Sequence, residues 1–191
     1  MYAALTPKSS GREIRRQRKR ERPERNSVAI EASLQPGCSR RENGVLRRGL
    51  PSDLDAVRCI LKESNLAAPS PGDVERLTHA QIGEVLTLVY EQRQQVVAVL
   101  QWRNLLSEAE ILGLAVQAEH RRQGLATLLL KSFLQQAAAS GTHHVFLEVR
   151  ESNRAALALY RNFGFQIAGR RPDYYRSPEE SALVMRLSFP G

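Results

Sequence analysis

Residues 121–126, Arg-Arg-Gln-Gly-Leu-Ala, combine the residue types that bind phosphate groups. They lie between an apolar, strand-like run at Ile111 to Val116 and a helix-like run that begins at Leu125. The first turn of a helix leaves backbone N–H groups unpaired and carries a partial positive charge, so it attracts anions. The glycine and the small alanine allow close approach to the backbone, and the arginines add charged donors. The segment therefore predicts a phosphate site, with an ordinary basic loop as the alternative.

Glu148 is the second residue with a possible chemical use, because it falls in the middle of an alternating strand. Along His144–Arg150 the side chains divide between two faces, with Val145, Leu147 and Val149 on one and Phe146, Glu148 and Arg150 on the other. A carboxylate in a central strand needs a charged partner or a chemical role. The two interpretations are therefore a functional carboxylate and a salt bridge to an arginine such as Arg150 or Arg170.

Asn153 and Tyr160 follow Glu148 at short intervals. Asparagine is a preferred helix N-cap, so Asn153 predicts the start of the next helix. Tyr160 lies on the helical face of Ala156 and Phe163, where an aromatic side chain ordinarily belongs to the core. Both residues thus have a structural interpretation before any functional one.

The strand and helix patterns around these residues indicate a mixed sheet with helices on its faces. Strands are predicted at residues 45–49, 85–90, 96–102, 109–116, 144–150, 165–168 and 182–187, where β-branched and apolar residues concentrate. Helices are predicted from Pro51-Ser52-Asp53 onward, weakly at 74–80 after a Pro/Ser/Gly break at 67–72, from Leu125 to Ser140-Gly141, and at 153–163. A polar turn at 91–94 makes the second and third strands a hairpin. The expected class is mixed α/β, combining an antiparallel meander with a βαβ unit.

The composition is that of a globular protein, with 42% hydrophobic and 25% charged residues among 191. No apolar run approaches the roughly 20 residues that cross a bilayer, and the start lacks the features of a secretory signal. The two cysteines, Cys38 and Cys59, have no metal-type spacing. These features favour a reducing cytoplasm and argue against a membrane association, a disulfide framework and a zinc site.

The net charge of +8 belongs to the beginning of the chain. Residues 1–49 contain 13 Lys/Arg and 5 Asp/Glu, whereas residues 50–191 contain 15 of each. We therefore expect two parts: a basic, disordered tail at 1–43 and a folded domain at 44–191. The tail has three interpretations: an arm that contacts RNA or the ribosome, a solvated appendage, or the product of a start codon placed too far upstream. The balanced charge of the domain gives no indication of nucleic-acid binding.

The segment from residue 113 to 187 resembles the Gcn5-related N-acetyltransferase (GNAT) superfamily, and most closely the RimI family of bacterial ribosomal-protein-alanine N-acetyltransferases. The resemblance lies in Leu114-Ala115-Val116, Arg122-Gln123-Gly124-Leu125-Ala126-Thr127, Leu147-Glu148-Val149-Arg150-Glu151-Ser152-Asn153, Ala158-Leu159-Tyr160, Phe163-Gly164-Phe165 and Arg170-Arg171-Pro172-Asp173-Tyr174-Tyr175. It implies the GNAT fold: a central, mostly antiparallel sheet, splayed between its fourth and fifth strands, with helices on both faces.

The resemblance also implies acetyl-CoA as co-substrate and no metal. By likeness, the cofactor would contact Leu114, Ala115, Val116, Arg121, Arg122, Gln123, Gly124, Leu125, Ala126, Thr127 and Asn153. Glu148 would be the general base and Tyr160 the acid that protonates the departing thiolate. Tyr174 and Tyr175 would line the groove for the acceptor. The acetyl group would pass directly to a primary amine, without a covalent enzyme intermediate.

The acceptor amine is open to more than one interpretation. An α-amine has a pKa of ~8 against ~10.4 for lysine, so a weak base suits a protein N-terminus, which for the RimI family is that of a ribosomal protein. The alternatives are lysine or a small-molecule amine, and a non-catalytic CoA-binding or ribosome-associated module. The sequence departs from RimI relatives at 67–71 and in an expected loop at 176–181. A monomer and a homodimer are both compatible with the sequence.

Overall fold

The computed structural model describes residues 44–66 and 83–190. The expected basic tail at 1–43, Cys38, the break at 67–72 and the short helix at 74–80 lie outside these described residues. Within them, no helix is both long and apolar enough to cross a membrane.

Seven strands form one sheet in the described part of the chain. They are β1 (Gly44–Arg48), β2 (Val85–Gln92), β3 (Gln95–Leu105), β4 (Glu108–Val116), β5 (His144–Arg150), β6 (Gln166–Arg176) and β7 (Glu179–Ser188). Their spatial order is β1-β2-β3-β4-β5-β7-β6. Every neighbouring pair is antiparallel except β4 and β5, which are parallel. The predicted mixed sheet, antiparallel over most of its width, is confirmed.

Helices cover both faces of the sheet, as predicted. α1 (Leu54–Glu63) follows a 3-10 turn at Pro51–Asp53, and α2 (Leu125–Ala139) and α3 (Arg154–Asn162) lie later in the chain. The apolar positions of α1 pack on one face against residues such as Val99 and Ala115. Those of α2 and α3 pack on the other face, where Phe133 is fully buried with its ring centroid 5.1 Å from that of Trp102. This burial of apolar surface is the main force that holds the layers together.

A salt-bridge network fixes the start of α1 against the sheet. Asp53 accepts a hydrogen bond from the Leu50 N–H at 2.7 Å and pairs with Arg47 at 2.6 Å. Arg47 also contacts Glu91 of β2 at 2.7 Å. Asp53 is only 8% exposed, and these contacts give the buried carboxylate the charged partner and the backbone donor that it requires. β1, α1 and β2 are therefore held in one arrangement.

β4 and β5 part midway along their length, which agrees with the splayed sheet expected from the resemblance. Their parallel pairing extends only from Glu108–His144 to Ile111–Leu147. A bulge in the β3–β4 ladder begins there, because Gln101 pairs with Gly113 and Trp102 with Ile111, leaving Leu112 as the extra residue. Beyond Ile111, the β5-facing backbone groups of β4 pair with no strand among the residues that the structure describes. We call this opening the split.

The last two strands are longer than predicted, and the loop expected at 176–181 is wrong. β6 and β7 form a hairpin joined only by Ser177 and Pro178. The pairing is irregular between Arg171 and Tyr175, where residues 172–174 bulge out of the ladder. β6 is an edge strand with mostly exposed side chains, so it has no apolar alternation to reveal it.

Candidate active site

The predicted phosphate segment forms the amino end of α2. Gly124 is the N-cap residue, with φ 79°, and no side chain caps the helix. The first helical hydrogen bond is donated by the Leu128 N–H to the Gly124 oxygen at 3.0 Å, which leaves the N–H groups of residues 125–127 without helical partners. Arg122 also has a positive φ, 61°. Residues 121–124 are exposed, so this end of the helix can receive an anion.

The split lies directly upstream of this helix end. Leu114 and Val116 pack toward the core beneath α2, whereas Ala115 is buried beneath α1. Their side chains therefore have the structural role expected of strand residues, while the backbone facing the split lacks a strand partner. Arg121 donates from Nε to the Val116 oxygen at 3.0 Å, joining the strand to the start of the helix. An exposed helix amino end and an open strand edge are thus adjacent, an arrangement that fits an elongated ligand with an anionic group at one end and amides along its length.

Asn153 caps α3, as predicted. Its Oδ1 accepts a hydrogen bond from the Ala156 N–H at 3.1 Å, immediately after β5. The side-chain amide N–H groups are not required for the cap. The structural role of Asn153 is therefore compatible with a contact to a ligand in the split.

Glu148 lies on β5 one residue beyond the last β4–β5 pair, at the edge of the split. Its side chain is 18% exposed and forms an ion pair with Arg171, whose Nε lies 3.0 Å from Oε1. It lines an open cavity of about 270 Å³ whose wall also includes Leu105, Glu108, Glu110, Phe146, Arg171 and Val184. The predicted alternation of β5 is confirmed, because Val145, Leu147 and Val149 are buried and the intervening residues are not.

The salt bridge to an arginine, considered from the sequence as the alternative for Glu148, is present, but with Arg171 rather than Arg150 or Arg170. Arg150 shares the face of Glu148 but pairs with Glu180 at 3.2 Å. Arg170 is aligned with Leu183, which pairs with Val149, so it belongs to the opposite face. It pairs there with Glu151 at 2.9 Å. The sequence did not single out Arg171, although the stretch Arg170-Arg171-Pro172-Asp173-Tyr174-Tyr175 contained it.

Tyr160 lies on α3 within the core beneath α2. It is 7% exposed, and its ring packs against Phe165 with a centroid separation of 5.6 Å. Burial raises the pKa of Tyr160 above its ordinary value, and the nearby Tyr175 raises it further. The phenol is therefore protonated at neutral pH. Tyr160 belongs to the cluster that contains Leu147 and Val149, whereas Glu148 lies on the other face of β5.

Tyr174 and Tyr175 are brought beside Glu148 by the β6 bulge. The two rings contact each other edge to face at 5.1 Å, and Tyr175 lies beneath the Arg150 guanidinium at 3.9 Å from its centroid. The contact of Tyr174 with the Glu148 carboxylate raises the pKa of that phenol, with burial as a second cause. Burial likewise raises the pKa of Tyr175. Tyr174 is 45% exposed, so it is available to a second substrate.

No group of three or more His, Cys, Asp or Glu side chains within residues 44–66 and 83–190 is arranged to hold a metal ion. The expectation of a metal-free reaction stays a prediction. Cys59 is an exposed free thiol on α1.

Comparison with known proteins identifies the family. Residues 54–165 match the acetyltransferase (GNAT) family. The ribosomal protein bS18-alanine N-acetyltransferase of Haemophilus ducreyi is 35% identical over 114 residues, which are 58% of this chain and 79% of that protein. The protein of the same name from Escherichia coli K12 is 39% identical over 85 residues, 44% of this chain and 57% of that one, so this match spans little more than half of the relative.

The fold agrees with a solved structure from the same group. The crystal structure of the ribosomal-protein-S18-alanine N-acetyltransferase from Escherichia coli superposes with a TM-score of 0.67 and 29% identity, covering 78% of this chain and 97% of that one. Membership of the GNAT family implies use of acetyl-CoA. The chain belongs to the GNAT family and is an N-acetyltransferase.

Proposed function

We propose that the protein transfers the acetyl group of acetyl-CoA to the α-amino group of a protein N-terminus. The position of Glu148 carries the proposal, because this carboxylate lies where β4 and β5 part and faces an open cavity. A proton acceptor is needed at such a place, since an α-amine is largely protonated at neutral pH. The names of the Haemophilus ducreyi and Escherichia coli relatives support an N-terminal alanine as acceptor.

The cofactor would lie with its pyrophosphate at the start of α2. The N–H groups of Leu125, Ala126 and Thr127 would donate to phosphate oxygens, and the Arg121 and Arg122 side chains would add charge. Gln123 and Gly124 complete this turn. The pantetheine arm would lie in the split, where the backbone of Leu114, Ala115 and Val116 offers hydrogen-bonding groups, and Asn153 would contact the same arm from the start of α3. Bound there, acetyl-CoA supplies the thioester carbonyl that the amine attacks.

Glu148 and Tyr160 would then handle the protons. Glu148 would accept a proton from the acceptor amine, through water, as the nitrogen–carbon bond forms. Tyr160 would donate its phenolic proton to the sulfur as the carbon–sulfur bond breaks. The buried phenol is in the protonated form that this donation requires. Holding both substrates in line would supply much of the remaining acceleration.

The acceptor would enter from the face that carries Tyr174 and Tyr175. Its α-amine, with a pKa of ~8, loses a proton to a carboxylate more readily than a lysine with ~10.4. Tyr174 and Tyr175 would contact the first residues of the peptide. A ribosomal protein is the partner that the relatives' names suggest.

A peptide panel tests the acceptor. Purified protein and acetyl-CoA are incubated with peptides that differ only in the first residue, with an N-terminally blocked lysine peptide, and with a polyamine, and the products are analysed by mass spectrometry. We expect acetylation of a free peptide N-terminus, with alanine among the best first residues. Acetylation of the lysine peptide or the polyamine alone would show that the acceptor is wrongly assigned.

Two substitutions test the proton transfers. Glu148→Gln and Tyr160→Phe should each lower kcat/KM by roughly a hundredfold or more, as expected for the loss of a general base or acid. Glu151→Gln is the matched control, because Glu151 is a nearby carboxylate that also pairs with an arginine but faces solvent. Full activity of Glu148→Gln would remove the base role from Glu148 without changing the acceptor assignment.

A further inference from the structure

We propose that Arg171 is a positioning residue for the acetyl transfer, which holds the Glu148 carboxylate directed into the cavity. The inference rests on the proposed base role of Glu148. It gives a role to a side chain that sequence motifs alone left unassigned.

The geometry of the sheet allows this contact across an intervening strand. Glu148 pairs with Val184 of β7, and Ala182, two residues before Val184, pairs with Arg171 of β6. Arg171 therefore extends diagonally over β7, where the small Ala182 offers no obstacle. Its Nε reaches the Glu148 Oε1 at 3.0 Å, although the Arg171 side chain itself is 58% exposed. Arg171 is thus exposed to solvent, whereas Glu148 faces the cavity.

The bulge in β6 brings a second group to the same carboxylate. Arg171 is the last regularly paired residue before the bulge, and Tyr175 is the first after it. Within the bulge, Pro172 has no N–H to donate to a ladder, and Asp173 adopts φ 49°. Tyr174, the next residue, contacts Glu148 and lies 5.6 Å from the Arg171 guanidinium. Bulges commonly redirect side chains beside active sites, and here the bulge directs Tyr174 to the carboxylate that Arg171 also contacts.

The charges around the cavity show why a cation is needed. Glu108 and Glu110 of β4 line the same cavity as Glu148. Like charges at this range repel one another. Glu110 is paired with Arg103, so its charge is partly offset. Arg171 is the cation that contacts Glu148, and it counters the remaining negative charge.

The other groups near Glu148 do not replace Arg171. Arg150, on the same strand, is engaged with Glu180 and with the Tyr175 ring. Tyr174 and Tyr175 are neutral phenols whose raised pKa values keep them so at neutral pH. Neither phenol supplies a positive charge, so Arg171 is the cation that the structure pairs with Glu148.

Three variants test the proposal in the full-length enzyme. Arg171→Gln removes the charge, Arg171→Lys keeps it, and Arg170→Gln is the matched control. Arg170 is similarly exposed, at 53%, and forms an ion pair of 2.9 Å on the opposite face. We expect Arg171→Gln to lower kcat by about three- to tenfold with little change in the acceptor KM, the range expected for a partly exposed ion pair. Arg171→Lys should recover most of the loss, and Arg170→Gln should match the unsubstituted protein.

The matched control separates positioning from a general effect of surface charge. Arg170→Gln removes a similarly exposed arginine from the opposite face of β6 and leaves the contact between Arg171 and Glu148 intact. A loss of kcat in Arg170→Gln equal to that in Arg171→Gln would overturn the proposal.

A double-mutant cycle with Glu148→Gln completes the test. If Arg171 acts through Glu148, Arg171→Gln should have no further effect in the Glu148→Gln background. Additive losses would refute the inference and leave the base role of Glu148 intact. If Glu148→Gln is fully active, the proposed base role of Glu148 is refuted. Measuring that variant first therefore distinguishes failure of the proposed function from failure of this inference.

Discussion

The two ends of α2 provide a matched pair of glycines that tests the phosphate site. Gly124, at the amino end, has φ 79°, and Gly141, just beyond the carboxyl end, has φ 78°. Both are exposed. Replacing either glycine by alanine introduces a methyl group into a left-handed backbone conformation. The two substitutions therefore impose the same local strain on one helix, but only one of them lies at the proposed phosphate site.

The expected losses of stability and of CoA binding follow from this comparison of the two glycines. A left-handed alanine costs about 1–2 kcal/mol, which lowers Tm by roughly 2–8 °C in a protein of this size. A Cβ at position 141 meets no atom within 4 Å, so strain is its whole effect. At position 124 the methyl group also hinders the approach of a phosphate to the backbone. A hydrogen bond to a charged group is worth about 1.5–3 kcal/mol, so loss of one corresponds to roughly ten- to hundredfold weaker binding.

The assay combines unfolding with binding. Tm is measured for Gly124→Ala and Gly141→Ala, and the Kd for CoA is measured by calorimetry, independently of catalysis. We expect similar losses of Tm and a Kd that rises only for Gly124→Ala. Equal Kd values for the two variants, with equal losses of Tm, would show that the phosphates do not bind at the start of α2.

Two further predictions concern Asn153 and Tyr160. Asn153→Ala should lower the free energy of unfolding by about 1 kcal/mol in denaturant titrations, because it removes the N-cap of α3, whereas Asn153→Asp should retain it; equal losses would contradict the capping role. The raised pKa of Tyr160 means that the folded protein keeps this proton after the unfolded chain, with its ordinary pKa of ~10, has released it. Stability should therefore be fully present below pH ~10 and fall above it, by up to about 1.4 kcal/mol per pH unit from this group. The free energy of unfolding of Tyr160→Phe should fall less steeply over the same pH range. Tyr174 and Tyr175 affect both proteins alike, so an identical fall in the two proteins would contradict the prediction.

Local patterns predicted the elements that carry most of the site. The strict alternation of β5 identified the face of Glu148, and the N-cap preference of asparagine identified the start of α3. The apolar spacing after Gly124 identified α2, because its buried positions follow the helical period. Each of these features depends on residues close together in the chain, so the sequence contains the whole signal.

Features that depend on strand neighbours were missed. The run from Ala109 to Val116 is apolar throughout, so nothing in it marks Leu112 as a bulge. The partner of Glu148 is fixed by the placement of β7 between β5 and β6, which brings Arg171 rather than Arg170 to the correct face. The extension of β6 to Arg176 was hidden by proline and by charged residues, which an exposed edge strand tolerates.

The placement of β7 also has a consequence for the order in which the enzyme is assembled. β5 pairs with β4 over only part of its length, whereas β7 pairs with it from His144 to Arg150. β6 leaves the ribosome before β7, yet it joins the sheet only through β7. During synthesis, Arg171 and Tyr174 are therefore made before the strand that brings them beside Glu148. The contacts of both side chains with this carboxylate can form only once β7 lies between β5 and β6.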